Sequence, residues 1–270
     1  CIRDRVINIK NTRKAASIIS SRFHDNPSND LTIIGITGTN GKTTTAYLIK
    51  ECLDYAGFKT AQIGTTGVIA EGYKQEKTLT TPDALTIQKL LKNLVNDGFS
   101  HVVMEVSSHA LHQLRVHNVH FDVAIFTNLT PEHLDYHKTM ENYFKVKSTL
   151  FNLLNEKNGK AVINYDDDYG KKLASKLNCD VALFSKTNLT KSFFSQINDY
   201  KNKIDGIINS NTGSYTIKSN LIGSYNLENI LAAVTTLDSL KISENAITQG
   251  IKNCKNAVSY THLRAHETSE

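Results

Sequence analysis

The residues best suited to chemistry concentrate first at Gly35-Ile36-Thr37-Gly38-Thr39-Asn40-Gly41-Lys42-Thr43-Thr44-Thr45. Small residues around a single lysine suit phosphate. Glycine lets backbone N–H groups approach phosphate oxygens with no Cβ in the way. Lys42 can reach terminal phosphates, and the Thr43 hydroxyl can hold Mg²⁺. The general phosphate-loop pattern wants glycine at Ile36, whereas this chain has it at Gly35. An ordinary strand-to-helix turn with a surface lysine would not explain glycines at 35, 38 and 41.

Other groups fall at the ends of apolar runs. Glu105 closes the run 101–106, where a carboxylate needs a cation or a donor. A nucleotide's Mg²⁺, with its preference for oxygen ligands, is the natural partner. A capped or salt-bridged carboxylate is the plain alternative. Ser107 follows, and Thr80-Thr81 and the segment 128–137 are equally polar. His133 and His137 have zinc-like i, i+4 spacing, yet the sequence around them is not His-Glu-x-x-His. Most of the histidines read as surface or core-edge residues. Lys147 reads as a helix lysine snorkelling from an apolar edge.

These groups need elements to position them. Residues 31–34 read as a buried parallel strand, and Ala46, Ile49, Leu53 and Ala56 mark a helix behind the glycines. Such a helix offers partial positive charge and free donors to an anion. Before the loop, a strand-like piece from Val6 leads into a helix with Ala15, Ile18 and Ile19 on one face. Residues 60–66 read as a strand and 68–80 as a hairpin turning at Glu71-Gly72. Thr81, Pro82 and Asp83 suit an N-cap, first position and first turn. That helix would bury Ile87, Leu90, Leu91 and Leu94. Strands follow at 101–106, 122–126, 161–164 and 181–184, with helices at 140–154 and 167–177. Residues 192–221 read as a small antiparallel sheet at one side, and helices at 226–240 and 243–252 close the segment. The expected fold is α/β, a doubly wound, mostly parallel sheet with helices on both faces and that antiparallel addition. Ligands of such sheets sit at the carboxyl ends of the strands.

Bulk composition agrees with a globular chain. The 270 residues are 40% hydrophobic and 21% charged, with formal charge +5. The charge suits small anions. Basic residues do not cluster with aromatics, which argues against nucleic acid. The cysteines at 1, 52, 179 and 254 form no paired motif and read as free thiols of a reducing compartment. No apolar run approaches the ~20 residues of a membrane helix, and no signal peptide is visible, so the expected location is cytoplasmic. Residues 1–5 and 258–270 resemble translated sequencing-adapter DNA and are set aside. Residues 6–30, ending in the polar linker 24–30, read as the tail of something upstream.

Four segments, 37–44, 104–111, 126–137 and 143–147, together resemble the Mur ligases of peptidoglycan synthesis, in the same order along the chain. Glu105-Val106-Ser107-Ser108-His109 and Leu79-Thr80-Thr81-Pro82-Asp83 resemble the branch that adds the third stem-peptide residue. The shifted glycine is normal in that family. The resemblance implies an ATP-dependent amide-bond ligase, monomeric, acting on UDP-MurNAc-dipeptide and a free amino acid. ATP would phosphorylate the D-glutamate carboxylate, and the incoming amine would attack that acyl phosphate. Nucleotide would lie against Gly38, Thr39, Asn40, Gly41, Lys42, Thr43 and Thr44, with Asn226 and Asn229 near the adenine. Thr43 and Glu105 would hold one Mg²⁺; Glu105, His133 and Lys147 would serve a second, with Lys147 carbamylated. Catalysis would rest on Lys42, Glu105, His133 and Lys147. Thr80, Thr81, Ser107, Gln113 and Arg115 match substrate-binding positions.

The resemblance also implies that residues 6–30 are the tail and linker of an N-terminal UDP-binding domain, that 31–257 are the ATP-binding central domain, and that an amino-acid-selecting domain lies downstream. The chain alone is therefore expected not to ligate, and the choice between diaminopimelate, lysine and another amine stays open. A related Mur or folylpolyglutamate-type ligase and a non-catalytic nucleotide-binding module are the competing readings.

Overall fold

The computed structural model describes residues 8–76, 79–187 and 189–254. The segments 1–5 and 258–270, and the strand-like start at Val6, lie outside them. Helix α1 (Thr12–Phe23) precedes strand β1 (Thr32–Thr37), the phosphate-loop residues and helix α2 (Lys42–Tyr55). Strands β2 (Thr60–Gly64) and β3 (Gly67–Ile69), helix α3 (Ala84–Asn96), strand β4 (His101–Glu105) and the short helix α4 (Ser108–His112) follow. Then come β5 (Val123–Phe126), α5 (Leu134–His137), α6 (Met140–Ser148), β6 (Lys160–Asn164), α7 (Asp168–Ala174) and β7 (Asp180–Ser185). The chain closes with β8 (Ser192–Asp199), β9 (Ile204–Asn209), β10 (Ser214–Ser219), α8 (Tyr225–Ser239) and α9 (Glu244–Asn253).

All the strands join one sheet in the order β10-β9-β8-β7-β6-β5-β1-β4-β2-β3. The strands from β2 to β8 across its middle run parallel, and β3, β9 and β10 add antiparallel pairs at the edges. The expected addition at 192–221 is therefore no separate sheet: β8 pairs in parallel with β7 and continues the main one. Each face of the central strands is apolar, as a sheet covered on both sides requires. Ile34, Ile36, Val103, Val123 and Ile125 pack under α2, α8 and α9, while Ile33, Val102, Met104, Ala124 and Phe126 pack under α3 and α6.

Four local expectations change. The hairpin turns at Thr65-Thr66 between β2 and β3, with Gly64 opposite Gly67; Glu71-Gly72 is a turn of its own beyond it. Asp83, not Thr81, caps α3, accepting from the Leu85 and Thr86 N–H groups. On α1 the buried side chains are Ser17, Ser20 and Ser21, while Ile19 is 62% exposed. The helix at 140–154 stops at Ser148 and tightens into a 3₁₀ turn over Thr149–Leu153.

Candidate functional site: a phosphate loop backed by a buried carboxylate

β1 delivers the loop between two parallel neighbours, β4 and β5, so their carboxyl ends converge on it. The loop is braced from the β5 side. Thr39 N–H donates to the Asn128 carbonyl at 2.9 Å, Asn40 N–H to Asn128 Oδ1 at 2.9 Å, and Thr127 Oγ1 to the Asn40 carbonyl at 2.7 Å. Gly38 and Gly41 hold φ of 147° and 86°, a region that L side chains rarely enter. A Cβ at Gly41 would also stand 2.3 Å from Asn229 Oδ1. Asn229 in turn donates to Asn226 Oδ1, and Asn226 to the Ile222 carbonyl, both at 2.8 Å. These two asparagines, expected near an adenine, are buried beneath the loop and support its turn into α2.

Lys42 folds over the loop, donating to the carbonyls of Gly38 at 3.0 Å and Thr39 at 2.8 Å. Burial lowers its pKa, and the carboxylates of Glu105 and Glu132 oppose that shift. Thr43, one residue on, donates to Glu105 Oε2 at 2.8 Å, and Thr44 completes the first turn of α2. Glu105 is 0% exposed. It receives Thr43 Oγ1, Thr65 N–H and Thr65 Oγ1. Among the described residues no lysine or arginine bonds it, and burial pushes its pKa up against those donors and the charge of Lys42. A buried carboxylate with hydroxyl partners and no ion pair fits a divalent cation's oxygen shell.

The expected substrate-binding residues form a connected group on the β4 side. Thr81 donates to the Glu105 carbonyl at 2.9 Å and accepts from Ser107 N–H at 3.0 Å. Arg115 donates to the Thr81 carbonyl at 2.7 Å and forks onto Gln113 Oε1. Thr80 reaches Thr65 Oγ1 at 3.2 Å. A fixed guanidinium with unused N–H groups is poised for an anion.

Lys147 departs from the snorkelling expectation. It is 2% exposed and donates to the Gly38 carbonyl at 2.7 Å, with its ammonium 4.7 Å from the Tyr143 ring centroid. Burial and then the charge of Lys42 hold its pKa well below the usual lysine value. The half-exposed His133 ring faces Glu132 at 3.7 Å and stands edge-on to His109 and to Tyr143, the ring that also lies under Lys147. His133 and Lys147 thus share Tyr143, while among the described residues neither bonds Glu105. Nor do His133 and His137 make a zinc pair, since His137 is buried on Ser108 at 2.9 Å. Burial, with His109 and His112 adding to it, pushes His137 down to about 4. Among the described residues no cluster of three or more His, Cys, Asp or Glu could hold a metal.

The sequence reading gave five contributors no role, although Thr127, Glu132 and Tyr143 lie in the segments that carry the resemblance. Thr65 holds both oxygens of Glu105; Gly64 leaves room for them, since a Cβ there would meet Oε1 at 2.0 Å. Thr127 clamps the loop, Tyr143 lies under Lys147, and Glu132 acts on both buried lysines through its charge. The only signal for Thr65 was a threonine pair ahead of Gly67, which was absorbed into a longer strand.

Residues 36–237 match the family model for the Mur ligase middle domain. The UDP-N-acetylmuramoyl-L-alanyl-D-glutamate–2,6-diaminopimelate ligase of Clostridium perfringens is 39% identical over 255 residues, covering 92% of this chain and 51% of that protein. The enzyme of the same name from Nostoc is 41% identical over 248 residues, 91% of this chain and 50% of its own. The chain therefore spans about half the length of the curated relatives it matches. A solved diaminopimelate ligase of that name superposes with a TM-score of 0.77 at 28% identity, covering 88% of this chain and 50% of the other. The folylpolyglutamate synthetase of Lactobacillus casei shares the fold alone, with a TM-score of 0.67 at 10% identity over 94% of this chain and 69% of its own. By the extent of the middle-domain match and the identity to these relatives, the chain belongs to the Mur ligase family.

Proposed function

We propose that this chain is the nucleotide-binding core of an ATP-dependent ligase that joins the D-glutamate carboxylate of UDP-MurNAc-L-Ala-D-Glu to a free amino acid in peptidoglycan synthesis. One observation carries the reading: Thr43 of the phosphate loop is bonded directly to a buried carboxylate, Glu105, at 2.8 Å. The names of the relatives favour 2,6-diaminopimelate over lysine as the amine. A monomer in the cytoplasm is part of the same reading; no helix among the described residues is long and apolar enough to cross a membrane.

The chemistry asks for positive charge around a phosphoryl group passing between two anions. Thr43 and Glu105 would hold one Mg²⁺, whose bound charge would offset that of the phosphates. Lys42 would leave the Gly38 and Thr39 carbonyls for the terminal phosphates, while the loop N–H groups hold the rest. Thr80, Thr81, Ser107 and Gln113 would orient the acceptor, and Arg115 would bind its anionic group. Glu105, His133 and Lys147 would serve a second Mg²⁺. Lys147 would do so as a carbamate: its amine adds to CO₂, a C–N bond forms, and one proton leaves. The dry setting of Lys147 favours the neutral amine that this addition needs.

Titration calorimetry of the chain with ATP, with and without Mg²⁺, tests the core claim. Binding that depends on Mg²⁺ and is lost in Lys42→Met is expected. Equal binding by Lys42→Met would overturn it. A ¹³CO₂-dependent carbamate resonance, absent from Lys147→Ala, tests the modification separately and distinguishes a ligase core from a simple nucleotide binder.

A further inference from the structure

Glu105 is oriented from two sides, and the phosphate loop supplies only one of them. The other is the β2–β3 turn. Thr65 N–H donates to Oε1 at 3.0 Å and Thr65 Oγ1 donates to Oε2 at 3.1 Å, so one residue grips both carboxylate oxygens. That hydroxyl has given its proton to Glu105, so it receives one from Thr80, whose Oγ1 is 3.2 Å away. The result is a relay of bonds from Thr80 through Thr65 to Glu105. Gly64 makes the grip possible, because no side chain fits between β2 and the carboxylate. Thr65 itself is exposed, so its hydroxyl is not there to fill the core.

We propose that Thr65 is a positioning residue that aims Glu105 at its cation and links cation binding to the acceptor side of the site through Thr80. The inference rests on the reading of Glu105 as a cation ligand. It makes the β2–β3 turn part of the metal site. An acceptor bound at Thr80 would then be felt at the cation with no direct contact between them. Outer partners that hold a ligand's orientation typically contribute 10–100-fold to metal affinity.

The test is Mn²⁺ binding to the chain in the presence of ADP, followed by electron paramagnetic resonance. Thr65→Val keeps the backbone donor and the shape but removes the hydroxyl. It should weaken Mn²⁺ binding by about 10-fold, and Thr65→Ser should restore it to within about twofold of the parent. Thr80→Val should cause a smaller loss in the parent and none on the Thr65→Val background, because its effect passes through that hydroxyl. Parental affinity in Thr65→Val overturns the proposal. So does a loss from Thr80→Val that is equal in both backgrounds, since that marks two independent structural effects. Parental affinity in Glu105→Gln overturns instead the reading of Glu105, and the proposal with it.

Discussion

Among the described residues two carboxylates are buried, Glu105 at the carboxyl end of the inner strand β4 and Asp238 against the β10 edge, and they behave differently. Glu105 lies where parallel strands part, beside the N-terminus of α2, and its donors belong to two turns that converge there. Asp238 lies in the last turn of α8, 5% exposed, and accepts from Tyr215 Oη at 2.6 Å and from Thr212 Oγ1. Those hydroxyls come from β10 and the turn before it, beside a cavity of about 280 Å³. Asp238 ties a helix to an edge strand. At Glu105 burial works against the charge. The difference teaches that burial of a carboxylate does not make a site. A site needs loops that diverge around the carboxylate, which parallel strands supply and an antiparallel edge does not.

The largest expected contrast is in cation-dependent nucleotide binding. Glu105→Gln should weaken Mg²⁺–ADP by about 100-fold, the scale of losing a metal-site group, whereas Asp238→Asn should leave it unchanged in the same calorimetric titration. A weakened Asp238→Asn would erase the distinction between the two carboxylates.

Glycines give the next contrast. Gly64→Ala forces a methyl group onto Glu105 and should cost about 1–3 kcal/mol in urea unfolding, with weaker Mg²⁺ binding. Gly213→Ala, at the antiparallel end, has no atom within 4 Å of the new Cβ and should stay within about 0.5 kcal/mol of the parent. Tyr215→Phe removes one donor to Asp238 and should cost about 1 kcal/mol, read as a lower melting temperature with nucleotide affinity intact.

The smallest effect concerns pH, and its sign is opposite to that of an ion-paired acid. The folded state raises the pKa of Glu105, so between the unfolded and folded values the native chain holds more protons than the unfolded one. Stability therefore falls as pH rises through that window. Above it, Glu105→Gln should melt higher than the parent; below the ordinary carboxylate range the two should converge. Melts at pH 7 and at mildly acid pH decide this. Over the same range protons compete with the cation, so Mg²⁺ binding should weaken as pH falls.

The phosphate loop was legible because its chemistry is contiguous: donors, lysine and hydroxyl follow one another along a single turn. Glu105 was legible because a carboxylate ending an apolar strand is out of place without a purpose. Thr81 misled because it and Asp83 are both good caps. Asp83 took the helix because Thr81 is drawn to the Glu105 carbonyl and the Ser107 N–H, 24 and 26 residues further on. Ile19 misled in a similar way, since the inner face of α1 is a run of serines, two of them, Ser17 and Ser21, bonded across to Asn118.

By itself the sequence determined the strand–helix alternation, the loop, and the residue types gathered at the strands' carboxyl ends. These follow from local periodicity and from short-range backbone chemistry. Only the tertiary structure decided that β2 lies beside β4, so that Thr65 reaches Glu105. It alone placed α6 against the loop, so that Lys147 is dry and shares the Gly38 carbonyl with Lys42. The reason is physical: strand order and helix docking are set by burial summed over the whole core. The contacts they create join residues far apart in sequence, where no local pattern records them.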